Sequence, residues 1–151
     1  MDGILKSKEG LTLVEITADD ADFIASAKDL GFKDAWSKQM LINSFSNGGF
    51  CGYIAKIGEK NVGFITATMV QDFADIESVF VAPNYRGKGI AKALLTALIE
   101  YLTANNVVNI LLEVRATNLP AISLYQSSCF NQISIRKKYY SDGEDALVLK
   151  R

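Results

Sequence analysis

The stretch Val79-Phe80-Val81-Ala82-Pro83-Asn84-Tyr85-Arg86-Gly87-Lys88-Gly89-Ile90-Ala91, running on into Lys92–Leu102, decides the fold. The residues up to Val81 are β-branched or aromatic and stop at Pro83, as a strand would. Beyond the glycines, Ile90, Leu94, Leu95, Leu98, Tyr101 and Leu102 fall at helical spacing and form one apolar stripe. Between strand and helix lie Arg86, Gly87, Lys88 and Gly89. Glycines let backbone approach a bound group closely, and the first turn of a helix carries unpaired N–H donors. Those donors, the helix dipole and two cationic side chains favour an anion, so the unit reads as a pyrophosphate cradle. It lacks the spacing of a P-loop and that of a dinucleotide-binding turn.

As written, the cradle is Arg-x-x-Gly-x-Ala between a strand and an amphipathic helix. This resembles the coenzyme-A-binding motif of the GNAT-type N-acetyltransferases, Gln/Arg-x-x-Gly-x-Gly/Ala. The rest of the chain is consistent with that fold. Leu11–Ile16 reads as a strand, Thr17–Asp20 as a cap for a helix running to Leu30, and Ser37 as the N-cap of a helix over 38–45. Cys51–Ile57 and Val62–Met69 read as a hairpin about Gly58–Asn61, with Ala74–Val81 as the third strand of a meander. Val108–Val114 is a mostly apolar run, as in a buried strand. A short helix over Leu119–Gln126 and strands over Gln132–Lys138 and Asp145–Leu149 close the chain. The expected fold class is α/β (α+β): a mixed central sheet of about seven strands with about four helices, in a single domain spanning 1–151.

Composition bounds the function. Apolar residues make up 49% and charged residues 22%, an ordinary globular balance. A net charge of −1 argues against nucleic acid as a partner. No apolar run is long enough for a bilayer, and Met1–Lys6 lacks the layout of a signal peptide, so a cytoplasmic location and no membrane partner are expected. The chain is expected to be a monomer or weak dimer. Cys51 and Cys129 fit a reducing compartment without a disulfide. The chain has no histidine, which removes Ser-His-Asp and Cys-His catalysis and nearly every catalytic zinc site, so no metal is expected. Proton transfer must use carboxylates, tyrosine, lysine, cysteine or water.

The implied cofactor is acetyl-CoA. Its pantetheine arm would pair with the backbone of Val79, Phe80 and Val81 like an added strand, and one of those N–H groups would hold the oxyanion of a tetrahedral intermediate. An attacking amine needs a base, and the departing thiolate an acid. Glu113, near the end of a buried strand, is the first candidate base, since burial would raise its proton affinity; the competing view pairs it with Arg115 or Arg136. Glu77, on the strand before the cradle, is the rival base, and periodicity does not choose between them. Tyr125, on the helix after Glu113, is the candidate acid.

A closer resemblance narrows the acceptor. Leu112-Glu113-Val114-Arg115-Ala116-Thr117-Asn118, continuing through Tyr125, is similar to the ribosomal-protein-alanine N-acetyltransferases of the RimI type, as are Arg136–Tyr140, Gly143–Ala146 and Trp36-Ser37. Carried onto this sequence, the resemblance puts the base on Glu113 and the acid on Tyr125. It puts the cofactor contacts on Val79–Val81, on Gly87, Lys88, Gly89, Ile90, Ala91 and Lys92 beside Arg86, and on Asn118. The implied reaction is transfer of acetyl to the N-terminal α-amino group of a protein, in the founding case the alanine of a small-subunit ribosomal protein. Tyr139 and Tyr140 would wall the peptide groove. A small amine or a lysine side chain is the alternative acceptor, and a non-catalytic acyl-CoA-binding module the alternative class. Ser128-Cys129 stands where a glycine is usual, so Cys129 must tolerate helix C-cap geometry; it is expected to be a small buried filler.

Overall fold

A computed structural model describes the backbone of Ile4–Lys6 and residues 10–151. Strands β1 (Ile4–Lys6), β2 (Leu11–Glu15), β3 (Phe50–Ile57), β4 (Lys60–Val70), β5 (Phe73–Val81), β6 (Asn109–Arg115), β7 (Asn131–Arg136) and β8 (Ala146–Lys150) form one sheet in the order β1-β2-β3-β4-β5-β6-β8-β7. All neighbours are antiparallel except β5 and β6. The expected seven strands are present, with small shifts at their ends, and β1 is an eighth. Its three residues pair with Thr12–Val14, a signal too short for periodicity to show.

Helices α1 (Ala21–Ser26) and α2 (Lys38–Ser46) lie on one face, and α3 (Ile90–Ala104) and α4 (Leu119–Ser127) on the other. The expected first helix is divided: 3-10 turns at Ala18–Asp20 and Ala27–Leu30 flank α1. Alternation along the strands supplies both cores. Ile54, Phe64 and Phe80 pack with Ile24 and Leu41 under α1 and α2, while Ile65, Ile76 and Leu112 pack with Leu94, Leu95 and Leu98 under α3. The stripe read from the sequence is the buried face of α3. No helix among the described residues is long and apolar enough to cross a membrane.

One departure from regularity positions everything that follows. The parallel pairing of β5 with β6 begins at Phe73↔Asn109 and ends at Ile76↔Leu112. Past that point β5 stays paired with β4, and β6 with β8, so the sheet forks. A bulge sits at the same level: Thr66 faces Ser78 and Ala67 faces Ile76, leaving Glu77 as the extra residue. Such bulges bend a strand and re-aim its side chains.

Candidate active site

The fork opens into a cavity of about 540 Å³ whose lining includes Glu77, Val79, Glu113, Asn118 and Tyr125. Residues that the sequence placed on different elements therefore meet. Glu77 and Glu113 are the first residues beyond the last β5–β6 pair, one on each arm. Tyr125 reaches the cavity from α4, and Trp36, Tyr139 and Tyr140 also line it.

Glu113 is not buried, contrary to the expectation. Leu112 and Val114 face the core, so alternation turns the residue between them into the open fork. Its carboxylate lies 2.5 Å from Arg136 Nε and accepts a hydrogen bond of 3.3 Å from the Tyr139 hydroxyl. Of the two arginines considered for it, Arg136 is the partner. Glu77 is the enclosed carboxylate. One oxygen accepts a 2.9 Å bond from Thr68 Oγ1, and the other is buried without a partner. Burial pushes the Glu77 carboxyl up to about 7; the Thr68 bond opposes this in part, and the nearby charge of Asp75 adds to it. Thr68, on the facing strand, is what the sequence alone could not place beside it.

Tyr125 is buried and packs edge-on against Phe130, with ring centroids 5.8 Å apart. Burial raises the proton affinity of its hydroxyl, so it stays protonated at neutral pH and can act as a donor.

The arm of β5 presents backbone to the fork. The Ala82 N–H bonds the Val62 carbonyl on the β4 side, so alternation turns the N–H groups of Val79 and Val81 toward the open side. The Val81 carbonyl is already taken by Arg86 Nε at 2.9 Å. Arg86 therefore braces the end of β5, with its guanidinium 5.8 Å from the Phe80 ring centre. In the cradle, Gly87 (φ 76°) and Gly89 (φ 80°) take left-handed conformations that other residues adopt at a cost. The Ala93 N–H reaches back to the Gly89 carbonyl, so Ile90, Ala91 and Lys92 carry the free first-turn N–H groups of α3. Lys88 lies 5.7 Å from the Tyr85 ring centre and is exposed. The Lys92 side chain turns away toward α4, where its Nζ donates to Ser127 Oγ at 3.0 Å and Ser128 Oγ at 2.7 Å. Asn118 caps α4 through a 3.3 Å bond from the Ala121 N–H. The residues Arg86–Lys92 do not line the cavity itself; they form the turn that continues from its β5 wall.

Two further expectations are corrected. Cys129 does adopt the C-cap geometry, with φ 70°, but it is exposed rather than buried, and Phe130 fills the core in its place. Arg136, Lys137 and Lys138 are not three cations along one strand. β7 ends at Arg136, and Lys137 pairs with Asp145 at 3.3 Å in the turn that follows.

Sequence reasoning missed Arg115 as an organising residue. Its Nε and Nη2 each donate to an Asp34 oxygen at 2.9 Å. Nη1 donates to Asp142 at 2.8 Å and Glu144 at 2.9 Å. The acidic run Asp142-Gly143-Glu144-Asp145 was the available signal, since like charges crowded in one turn call for a cation nearby.

The sequence and the overall fold have known relatives. An N-alpha-acetyltransferase of Saccharolobus solfataricus is 31% identical over 153 residues, covering 93% of this chain and 92% of that protein. The ribosomal protein bS18-alanine N-acetyltransferase of Escherichia coli is 41% identical over 93 residues, 60% of this chain and 63% of that protein. The crystal structure of the ribosomal-protein-S18-alanine N-acetyltransferase from Escherichia coli superimposes with a TM-score of 0.85 at 29% identity, covering 93% of this chain and 92% of that one. The model of the acetyltransferase (GNAT) family matches residues 14–129, and the chain belongs to that family.

Proposed function

We propose that the protein transfers acetyl from acetyl-CoA to the N-terminal α-amino group of a protein, by direct attack without an acyl-enzyme. The observation that carries this reading is the fork, where an acid-competent tyrosine and two carboxylates converge beside a strand arm with free N–H groups. The protein relatives named above act on N-termini, and the one from Escherichia coli acts on an alanine of a ribosomal protein; that class of acceptor is proposed here too.

When bound, acetyl-CoA supplies the thioester. The residues present suit it: Val79 and Val81 offer N–H groups to its arm, Ile90, Ala91 and Lys92 offer first-turn N–H groups to its phosphates, and Gly87 and Gly89 leave room for close approach. Glu113 takes the proton of the attacking amine, directly or through a water, and Tyr125 gives one to the departing sulfur. An α-amine titrates near pH 8, so about a tenth of it is neutral at pH 7 and a modest base suffices. A second reading makes Glu77 the base, favoured by its unpartnered oxygen and its proton affinity close to neutral pH.

The test is acetyl transfer to a short peptide beginning Ala-Arg, beside the same peptide with a blocked N-terminus and an internal lysine. Wild type is compared with Tyr125→Phe, Glu113→Gln and Glu77→Gln. Transfer to the free N-terminus alone is expected, with Tyr125→Phe and one carboxylate variant each losing about 100-fold or more in kcat. The carboxylate whose loss removes the acidic limb of the pH–rate profile is the base. Transfer only to lysine, or to neither peptide, overturns the acceptor assignment.

A further inference from the structure

Two segments wall the mouth of the fork opposite α3 and α4. The first is the loop 31–36 between the 3-10 turn after α1 and the start of α2, which contributes Phe32, Asp34 and Trp36 to the cavity. The second is the connection between β7 and β8, which contributes Tyr139 and Tyr140. The two are far apart in sequence, and Arg115 on β6 stands between them.

The loop is fixed at its ends by aromatic stacking. Phe32 stacks on Phe80 with centroids 5.5 Å apart, and Trp36 on Phe50 at 6.3 Å. Between those anchors Arg115 grips Asp34 through two parallel 2.9 Å bonds, the bidentate geometry that only a guanidinium provides. The third nitrogen holds Asp142 and Glu144 of the other wall, and the face of the same guanidinium covers the Tyr140 ring at 4.1 Å. The ring of Tyr139 meets that of Tyr140 edge-on at 5.2 Å, and its hydroxyl bonds Glu113. Glu144 also accepts from the Thr117 N–H at 3.0 Å and from the Thr117 hydroxyl, fastening the turn to the end of β6. The Arg115 side chain is only 14% exposed, while Asp34 and Asp142 reach it from the surface, so the guanidinium is held from several sides at once.

We infer that Arg115 is a positioning residue: it clamps the loop 31–36 to the β7–β8 turn and so sets the width of the acceptor mouth and the placement of Tyr139 on Glu113. This rests on the proposed acceptor reaction. None of the residues that the clamp joins carries the N–H groups offered to the cofactor by Val79, Val81 and the first turn of α3, so its main effect falls on acceptor binding. A lysine cannot replace it, because one ammonium does not make two parallel bonds to Asp34 while holding two more carboxylates.

The experiment uses Arg115→Met, Arg115→Lys and Asp34→Asn. Asp34 is exposed, so its variant tests the clamp without risk to the core. Steady-state kinetics are read separately for the Ala-Arg peptide and for acetyl-CoA. Acrylamide quenching of Trp36, the single tryptophan of the chain, reports the loop without reference to activity. The expected result is a rise of about tenfold or more in KM for the peptide in both Arg115 variants and a smaller rise in Asp34→Asn. KM for acetyl-CoA should stay within about twofold of wild type, and Trp36 should become more accessible to quencher in all three. Unchanged quenching overturns the clamp. Increased quenching with unchanged peptide KM overturns its role in acceptor binding, as does a parallel rise in both KM values. If wild type acetylates no N-terminal peptide, the acceptor reading fails, and the quenching still decides whether Arg115 joins the two walls.

Discussion

Replacing Glu77 by glutamine should stabilise the protein, and the gain should depend on pH. In the unfolded chain a glutamate titrates near 4.5, whereas burial pushes the folded Glu77 carboxyl up to about 7. The folded state therefore binds this proton more tightly than the unfolded state. Below pH 4.5 both states are protonated and the carboxylate carries no penalty. As pH rises, the unfolded state ionises first, and wild-type stability falls until the folded group has ionised as well, above pH 7. At 1.36 kcal/mol per pH unit the full difference approaches about 3 kcal/mol. Glu77 keeps partial contact with solvent, so about 2 kcal/mol is the expected growth of the glutamine advantage between pH 5 and pH 8. For a domain of this size that corresponds to a Tm difference of about 5 °C. Glutamine still accepts the Thr68 bond, and any cost of its buried NH₂ applies equally at both pH values. The assay is guanidinium unfolding of wild type and Glu77→Gln at pH 5 and pH 8. An advantage of the same size at both would refute the argument, because it would mean that Glu77 titrates normally.

Alkylation with iodoacetamide at pH 8 should label Cys129 in the native protein and Cys51 only after denaturation, because Cys129 is exposed while burial pushes the Cys51 thiol up to about 12; mass spectrometry of the two labelled peptides checks this. Gly63→Ala should cost about 2 kcal/mol, since a Cβ there would lie 2.6 Å from the Phe80 carbonyl oxygen, a backbone atom unable to move without displacing β5. The same variant should bind acetyl-CoA several-fold more weakly by calorimetry, and a loss of stability without that weakening would show that the arm of β5 tolerates the shift.

The strand, cradle and α3 were legible because a helical stripe and a strand run meet at a glycine-bearing turn, and each of those signals is local. The meander and the last hairpin were legible for the same reason. Glu113 differs from expectation because an apolar run reads as buried on both faces, whereas β6 alternates: Ile110, Leu112 and Val114 are buried, Asn109 and Leu111 half-buried, and Glu113 exposed. Glu77 could not be ranked because its environment depends on a bulge and on Thr68 across the sheet, both set by pairing register rather than by neighbours in sequence. Cys129 was misplaced because the left-handed backbone that the cap demands also turns its side chain outward. The acidic turn hints at a cation for Asp142 and Glu144, but the distance from Asp34 to Arg115 along the chain hides the third carboxylate that makes Arg115 a clamp.

The fork has a mechanical meaning as well. Five strands on one side and three on the other are stitched to each other by only four residue pairs, from Phe73↔Asn109 to Ile76↔Leu112. An extended molecule bound between the arms as proposed would supply the hydrogen bonds that the missing pairs would have made, and so would act as a temporary strand of the sheet. Occupancy and cohesion are then one free energy: a ligand at a hundred times its Kd adds about 2.7 kcal/mol to the folded state. A sheet that was completely zipped would hold together better and have nowhere to put a substrate.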